Sequence, residues 1–268
     1  MLPHALERVP DWAAAWRRSG RLVLLLDFDG TLAPIVPHPD DAAIPPATRA
    51  ALERLRSFAG VEAAVVSGRG LADVRLRAGI PGVAYAGNHG MEMQGAGFER
   101  VHPQAAAARP LLEAVARRIE PELAAVPGAF LEDKELTLSV HFRRAPAERE
   151  PEVRRIVAAA VAGVGGVKVT EGKMVLEVRP RVEWDKGKAV LFLLDQLRPP
   201  AGTPVLYLGD DRTDEDAFRA LRQRGGGGEG VLVAEEPPAD TAASSRLRGP
   251  EEVGVLFAEL ADARRATA

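Results

Sequence analysis

The stretch Leu22-Val23-Leu24-Leu25-Leu26-Asp27-Phe28-Asp29-Gly30-Thr31 decides the fold. Five consecutive aliphatic residues without alternation suit a parallel strand covered on both faces, and the abrupt change to acids and glycine marks its C-terminal end. The same figure recurs. Val61 to Val66 runs into Ser67-Gly68-Arg69, Val205 to Leu208 runs into Gly209-Asp210-Asp211, and shorter runs end at Gly87-Asn88 and Ala234-Glu235. Helical spacing fills the intervals at 46–58, 71–78, 186–197, 214–224 and 251–263. This alternation predicts an α/β fold with a Rossmann-like, doubly wound, mostly parallel sheet, and the polar strand ends then share one crevice.

The middle of the chain has a different period. Helical spacing at 110–126 and 146–161 is interleaved with strict alternation at 136–143 and 173–179. Alternation gives a strand one dry face and one wet face. The expected organisation is a core built from residues 1–108 and 181–268, with an inserted α+β module over 109–180 ordered helix, hairpin, helix, hairpin. Its helices cover the apolar side, and its polar side carries Thr137, Ser139, His141, Arg143, Lys173, Glu177 and Arg179.

Composition narrows the chemistry. Of 268 residues, 46% are hydrophobic and 27% charged, an ordinary globular balance. The absence of cysteine removes disulfides, thiolate metal sites and a cysteine nucleophile, so any metal must be held by oxygen or imidazole. Lys+Arg 35 against Asp+Glu 38 gives a net charge of −3, which argues against a nucleic-acid partner. Residues 1–20 contain acids and Pro10, and no apolar run approaches the ~18 residues of a membrane span. A soluble, cytoplasmic protein is expected. The run Gly225 to Gly230 reads as a loop, and Asp11 to Arg18 as a short helix capped by Asp11 that packs Trp12 and Trp16 on the core.

Asp27 and Asp29 lie just past a buried strand, where an uncompensated carboxylate costs several kcal/mol, so the pair calls for a cation. Gly30 permits a turn whose amides can face an anion, and Thr31 adds a hydroxyl. Asp210, Asp211 and Asp214 form a second acidic group at the same sheet edge. Mg²⁺ takes oxygen ligands, few of them protein carboxylates, and Asp27 with Asp210 meets that demand.

Here the sequence resembles the haloacid dehalogenase-like phosphotransferases. Asp27-Phe28-Asp29-Gly30-Thr31-Leu32 has the form of their first motif, Ser67 of the second, Lys186 in Asp185-Lys186-Gly187 of the third, and Gly209-Asp210-Asp211 with Asp214 of the fourth. The resemblance implies a phosphatase in which Asp27 is the nucleophile, Asp29 the acid and base, and Lys186 and Ser67 the groups that offset phosphoryl charge. Mg²⁺ would be held by Asp27, the backbone carbonyl of Asp29 and Asp210. Asp211 and Asp214 would orient ligands or waters around it.

Within that group the chain is most similar to trehalose-6-phosphate phosphatases. The shared features are Ser67-Gly68-Arg69, Gly87-Asn88-His89-Gly90, Glu132-Asp133-Lys134, His141-Phe142-Arg143, the run Gly172 to Pro180, and Gly209 to Glu215. They imply a cap domain that grips the sugar, with trehalose 6-phosphate as substrate. Thr31, Gly68, Arg69, Asn88, His89, Glu132, Lys134, His141, Arg143, Lys173 and Glu177 are then the candidate substrate-binding residues. Lys173 and Glu177 on one strand face would stand about 13 Å apart, a separation that suits a disaccharide. The synthase domain that often accompanies this family is absent from the 268 residues, which leaves a separate trehalose-6-phosphate synthase as the candidate partner. Two alternatives stay open: a phosphatase of the sucrose-phosphate or mannosylglycerate-phosphate type, and a non-catalytic sugar-phosphate sensor.

Overall fold

A computed structural model describes residues 2–265. From the N-terminus the elements are α1 (Val9–Ser19), β1 (Leu22–Leu26), α2 (Pro46–Arg56), β2 (Val61–Val66), α3 (Leu71–Ala78), β3 (Ala84–Gly87), β4 (Glu92–Gly95) and β5 (Phe98–Val101). The middle contributes α4 (Pro103–Ala107), α5 (Arg109–Leu123), β6 (Phe130–Asp133), β7 (Leu138–His141), α6 (Glu150–Val161), β8 (Val167–Gly172) and β9 (Val175–Pro180). The last third adds α7 (Lys186–Leu197), β10 (Val205–Gly209), α8 (Asp214–Arg224), β11 (Gly228–Val233), β12 (Ser245–Leu247) and α9 (Pro250–Arg265).

Two compact units result, one from residues up to Glu99 together with Trp184 onward, the other from Arg100 to Glu183. Residues 100–108 and 181–183, expected with the core, fall in the second unit, the first of them because α4 leads within two residues into α5.

The first unit is α/β. Its eight-stranded sheet has the order β12-β11-β10-β1-β2-β3-β4-β5, parallel from β12 to β3 and antiparallel between β3 and β4. The chain builds outward from β1 through β2 and β3, then returns to the other side of β1 with β10. The switch in strand order therefore lies between β1 and β10, and their carboxyl ends frame the crevice where such sheets bind ligands. The unbroken apolar run of β1 has a plain cause. Leu22, Leu24 and Leu26 pack with Trp12, Trp16, Leu55 and Phe257 on one face, while Val23 and Leu25 pack with Leu193, Leu194 and Phe218 on the other. Helix α1 starts at Val9, two residues before the expected cap, so Asp11 sits in its first turn, and both tryptophans are buried as expected. The glycine-rich stretch is shorter as a loop than expected, since β11 begins at Gly228 and pairs in register with Val205.

The second unit has an antiparallel sheet of order β6-β7-β9-β8. Leu131, Leu138, Val140, Val167, Leu176 and Val178 pack with Leu112, Ile119, Ile156 and Val157 of α5 and α6, so the helices cover the apolar side. The register Glu132↔Ser139↔Glu177↔Thr170 places those side chains in one row on the other face. Both strands of that face are shorter than their alternation predicted. Gly172 pairs with Val175, which closes a two-residue turn over Lys173 and Met174 and takes Lys173 off the strand. Arg143 also lies beyond β7, in a turn closed by the Ala145 amide donating to the Phe142 carbonyl.

Candidate active site

Strand β1 ends at Leu26, and the Asp27 amide donates to the Leu208 carbonyl of β10 at 2.9 Å, so the two parallel strands hold Asp27 beside the Gly209-Asp210 bend. Glycine is required at both bends. A Cβ on Gly30, which has φ +82°, would stand 2.2 Å from Asp210 Oδ2, and one on Gly209 would stand 2.3 Å from Asp214 Cγ. Carboxylate oxygens of Asp27, Asp210 and Asp214 lie within 4.8 Å of one another.

Lys186, the first residue of α7, closes this group. Its Nζ donates to Asp27 Oδ1 at 2.7 Å and to Asp214 Oδ1 at 2.6 Å, and all three side chains are buried. Burial by itself would lower the lysine, but Asp214 and Asp27 hold its ammonium well above the usual lysine range. Burial pushes the Asp27 carboxyl well above the ordinary carboxylate value, with Lys186 pulling it back and Asp214 and Asp210 adding to the rise. With all three acids ionised, one ammonium leaves two negative charges unmet in a dry site. A small divalent cation bound by oxygen fits that deficit and that donor set.

Asp214 orients the group and is itself saturated. Its Oδ1 accepts from Lys186 and from the Tyr207 hydroxyl at 2.6 Å, and its Oδ2 accepts from the Asp210 and Asp211 amides at 3.0 and 2.9 Å. Four donors occupy the four acceptor positions of a carboxylate, so Asp27 and Asp210 are the acids with capacity for an ion. Asp211 turns aside, its Oδ1 accepting the Arg212 amide at 2.6 Å. Tyr207 escaped the sequence reading because strand β10 looks uniformly apolar. Burial, then Asp214 and Asp27, push its phenol well above the usual value, so it stays a donor.

Two hydroxyls are buried nearby in the chain's strand ends. Thr31 Oγ1 has no hydrogen-bond partner among the described residues, and Ser67 Oγ accepts the Arg69 amide at 3.1 Å. A buried hydroxyl without a partner is costly unless a ligand supplies one.

Asp29 lies apart from this group. Its two oxygens accept Arg69 Nε and Nη2 at 2.7 and 2.8 Å. Arg69, expected to bind substrate, is committed to Asp29, to Asp73 and to the Pro39 carbonyl. Asn88 likewise has a partner within the protein. It is fully buried at φ +49°, and its Nδ2 donates to Glu92 Oε1 at 2.6 Å, which also accepts the Leu71 amide at 2.7 Å. His89 follows at φ +57°, its amide bonded to the Ser67 carbonyl at 2.8 Å. Its ring lies against Gly68, where a Cβ would meet Cε1 at 2.8 Å. Consecutive left-handed non-glycine residues store strain of order 1–3 kcal/mol each and cluster at functional sites.

In the second unit, Glu132 Oε2 and His141 Nε2 are 2.7 Å apart, and the imidazole stacks on Phe130 at 4.6 Å between ring centres. Glu177 lies 3.6 Å from both Lys134 Nζ and Arg179 Nε and accepts the Thr137 hydroxyl at 3.3 Å. Lys173 is exposed on its turn, where its carbonyl accepts Arg143 Nη2 at 2.7 Å. The strand-face spacing expected between Lys173 and Glu177 therefore does not hold, because a tight turn reverses the chain between them.

Residues 25–251 match the trehalose-phosphatase family. The chain belongs to that family. It is 38% identical over 261 residues to trehalose-phosphate phosphatase B of Arabidopsis thaliana, covering 93% of this chain and 69% of that one. The C-terminal domain of Candida albicans trehalose-6-phosphate phosphatase superposes with a TM-score of 0.82 at 26% identity, covering 98% of each chain. A haloacid dehalogenase-like hydrolase from Bacteroides thetaiotaomicron shares the fold, with a TM-score of 0.59 at 19% identity over 89% of this chain and 98% of that one. Membership of the trehalose-phosphatase family makes the protein a phosphoric monoester hydrolase, and the antiparallel unit corresponds to a cap in a haloacid dehalogenase-like fold. No helix among the described residues is long and apolar enough to cross a membrane.

Proposed function

We propose that the protein hydrolyses trehalose 6-phosphate to trehalose and phosphate, in a Mg²⁺-dependent reaction through an aspartyl-phosphate on Asp27. The observation that carries the reading is the buried Asp27, Lys186 and Asp214 group beside Asp210, within a chain of the trehalose-phosphatase family.

An oxygen of Asp27 attacks phosphorus, the bond from phosphorus to the sugar oxygen breaks, and Asp29 delivers a proton to that oxygen. Asp29 then takes a proton from water as the water oxygen attacks the acyl phosphate, which frees phosphate and restores the Asp27 carboxylate. Lys186, held by Asp214, which the Tyr207 hydroxyl fixes in turn, keeps an ammonium at the nucleophile. The hydroxyls of Thr31 and Ser67 suit phosphoryl oxygens, and Asp27, Asp210 and the Asp29 carbonyl would hold the ion. When bound, Mg²⁺ supplies charge neutralisation at the transferring phosphoryl group.

For the sugar, the polar face of the cap sheet offers Glu132, Lys134, His141 and Glu177, a mixture of donors and acceptors of the kind that hydroxyls pair with. Gly68 and His89 are the further candidates in the core unit, and Arg143 and Lys173 those at the turns of the second unit.

Purified protein should release phosphate from trehalose 6-phosphate in the presence of Mg²⁺. Removing the ion with EDTA should abolish release, and Asp27→Asn should lower kcat by at least about 10⁴-fold. Equal kcat/KM on glucose 6-phosphate would overturn the disaccharide assignment.

A further inference from the structure

Arg69 follows a buried strand at the crevice edge, where a guanidinium reads at first as a phosphate or sugar ligand. Four of its five N–H donors are already engaged within the protein. It is 7% exposed, and each of its three nitrogens is used within the protein. Nε and Nη2 take the two oxygens of Asp29 at 2.7 and 2.8 Å, Nη1 takes Asp73 Oδ2 at 2.7 Å, and Nη2 also reaches the Pro39 carbonyl at 2.9 Å. The guanidinium carbon sits 5.4 Å from the centre of the Phe28 ring.

We propose that Arg69 is a positioning residue that acts through Asp29, with its fork setting the plane and place of the carboxyl that exchanges protons with the leaving sugar oxygen and with water. The inference rests on the phosphatase reading above, and it assigns a second layer of the same site. A two-point fork fixes both the position and the rotation of a carboxylate, which a lysine ammonium cannot do. Each carboxylate oxygen accepts two hydrogen bonds, and the fork uses one on each. Asp29 therefore keeps one acceptor position per oxygen for the travelling proton while it is held. Asp73 anchors the far side of the fork and is itself fixed by Arg77 Nε at 2.6 Å. The chain of contacts thus runs from α3 through Arg69 to Asp29. In the step concerned, the bond from phosphorus to the sugar oxygen breaks, its electrons stay on that oxygen, and the proton leaves Asp29 to neutralise it.

The test is a first-turnover measurement by rapid quench with two substrates. Trehalose 6-phosphate has an alkoxide leaving group that needs a proton, whereas p-nitrophenyl phosphate releases a phenolate that does not. Arg69→Lys should slow the first turnover of trehalose 6-phosphate about 10- to 100-fold and that of p-nitrophenyl phosphate less than about 3-fold. In an Asp29→Asn background the same substitution should add less than about 2-fold on trehalose 6-phosphate, because the two residues act as one unit. Asp73→Asn, which leaves the fork intact and removes its anchor, should give a smaller loss with the same substrate preference, and it decides the matter if Arg69→Lys does not fold. Equal losses on both substrates, or independent losses in the double variant, would overturn the proposal. No first turnover of either substrate by the unaltered protein would instead overturn the phosphatase reading on which it rests.

Discussion

Two groups of acids in this molecule are held in opposite ways. At the ends of β1 and β10, Asp27 and Asp214 share one buried ammonium in a dry site with an excess of negative charge. On the cap sheet, Glu132 is hydrogen-bonded to His141 and Glu177 lies between Lys134 and Arg179, so each acid has a partner of its own. A charge deficit in a dry site suits transfer of a phosphoryl group with an ion, since electrostatics strengthen where water is absent. Acids that each have a partner of their own suit exchange of hydrogen bonds with sugar hydroxyls. The core group should therefore govern kcat and the cap group KM.

The sharpest way to break that contrast is Lys186→Met. It leaves Asp27 and Asp214 without their ammonium, and removing one partner of a buried pair costs about 3–5 kcal/mol. Thermal unfolding should show a large fall in Tm that added Mg²⁺ partly restores, and kcat should drop at least about 10²-fold, the scale of losing an electrostatic partner of the reacting group. A Tm unchanged from the parent would show that the Lys186 ammonium does not offset the buried acids as described. His141→Ala should act on the other side of the comparison, raising KM for trehalose 6-phosphate about 10-fold through loss of one charge-assisted contact, with kcat kept within about 3-fold. A fall in kcat with unchanged KM would place His141 in the chemistry. The smallest effect concerns the cap's architecture alone. Met174 adopts φ +63° in the β8–β9 turn, so Met174→Gly should raise stability by about 0.5–1 kcal/mol in urea unfolding.

Most of the core was legible in the primary structure. Leu22 to Leu26 suits a strand covered on both sides, and in the structure residues pack on it from two helical layers. The acids after β1 and β10 were legible for the same reason, because a carboxylate beside a buried strand demands a partner. The cap was readable in its helices and less so in its strands. Alternation at 136–143 and 173–179 marks which side is wet, but it does not say where pairing stops, and Arg143 and Lys173 lie past the last paired residues. Nothing local in the sequence reveals that Arg69 is gripped by Asp29 and Asp73, or that Asn88 donates to Glu92. Tyr207 was invisible because an aromatic in an apolar strand looks like packing.

Sequence alone determined the kinds of group present: acids and glycines after buried strands, a lysine at a helix start, an alternating polar face, and no thiol. Local spacing dictates these, since periodicity and turn chemistry depend on near neighbours. Only the tertiary structure decided which acid is saturated, which arginine is committed, and which hydroxyl has no partner. Those properties belong to pairs such as Lys186 with Asp27 and Arg69 with Asp29, brought together across 159 and 40 positions of chain by the packing of helix α7 and of parallel strands around β1.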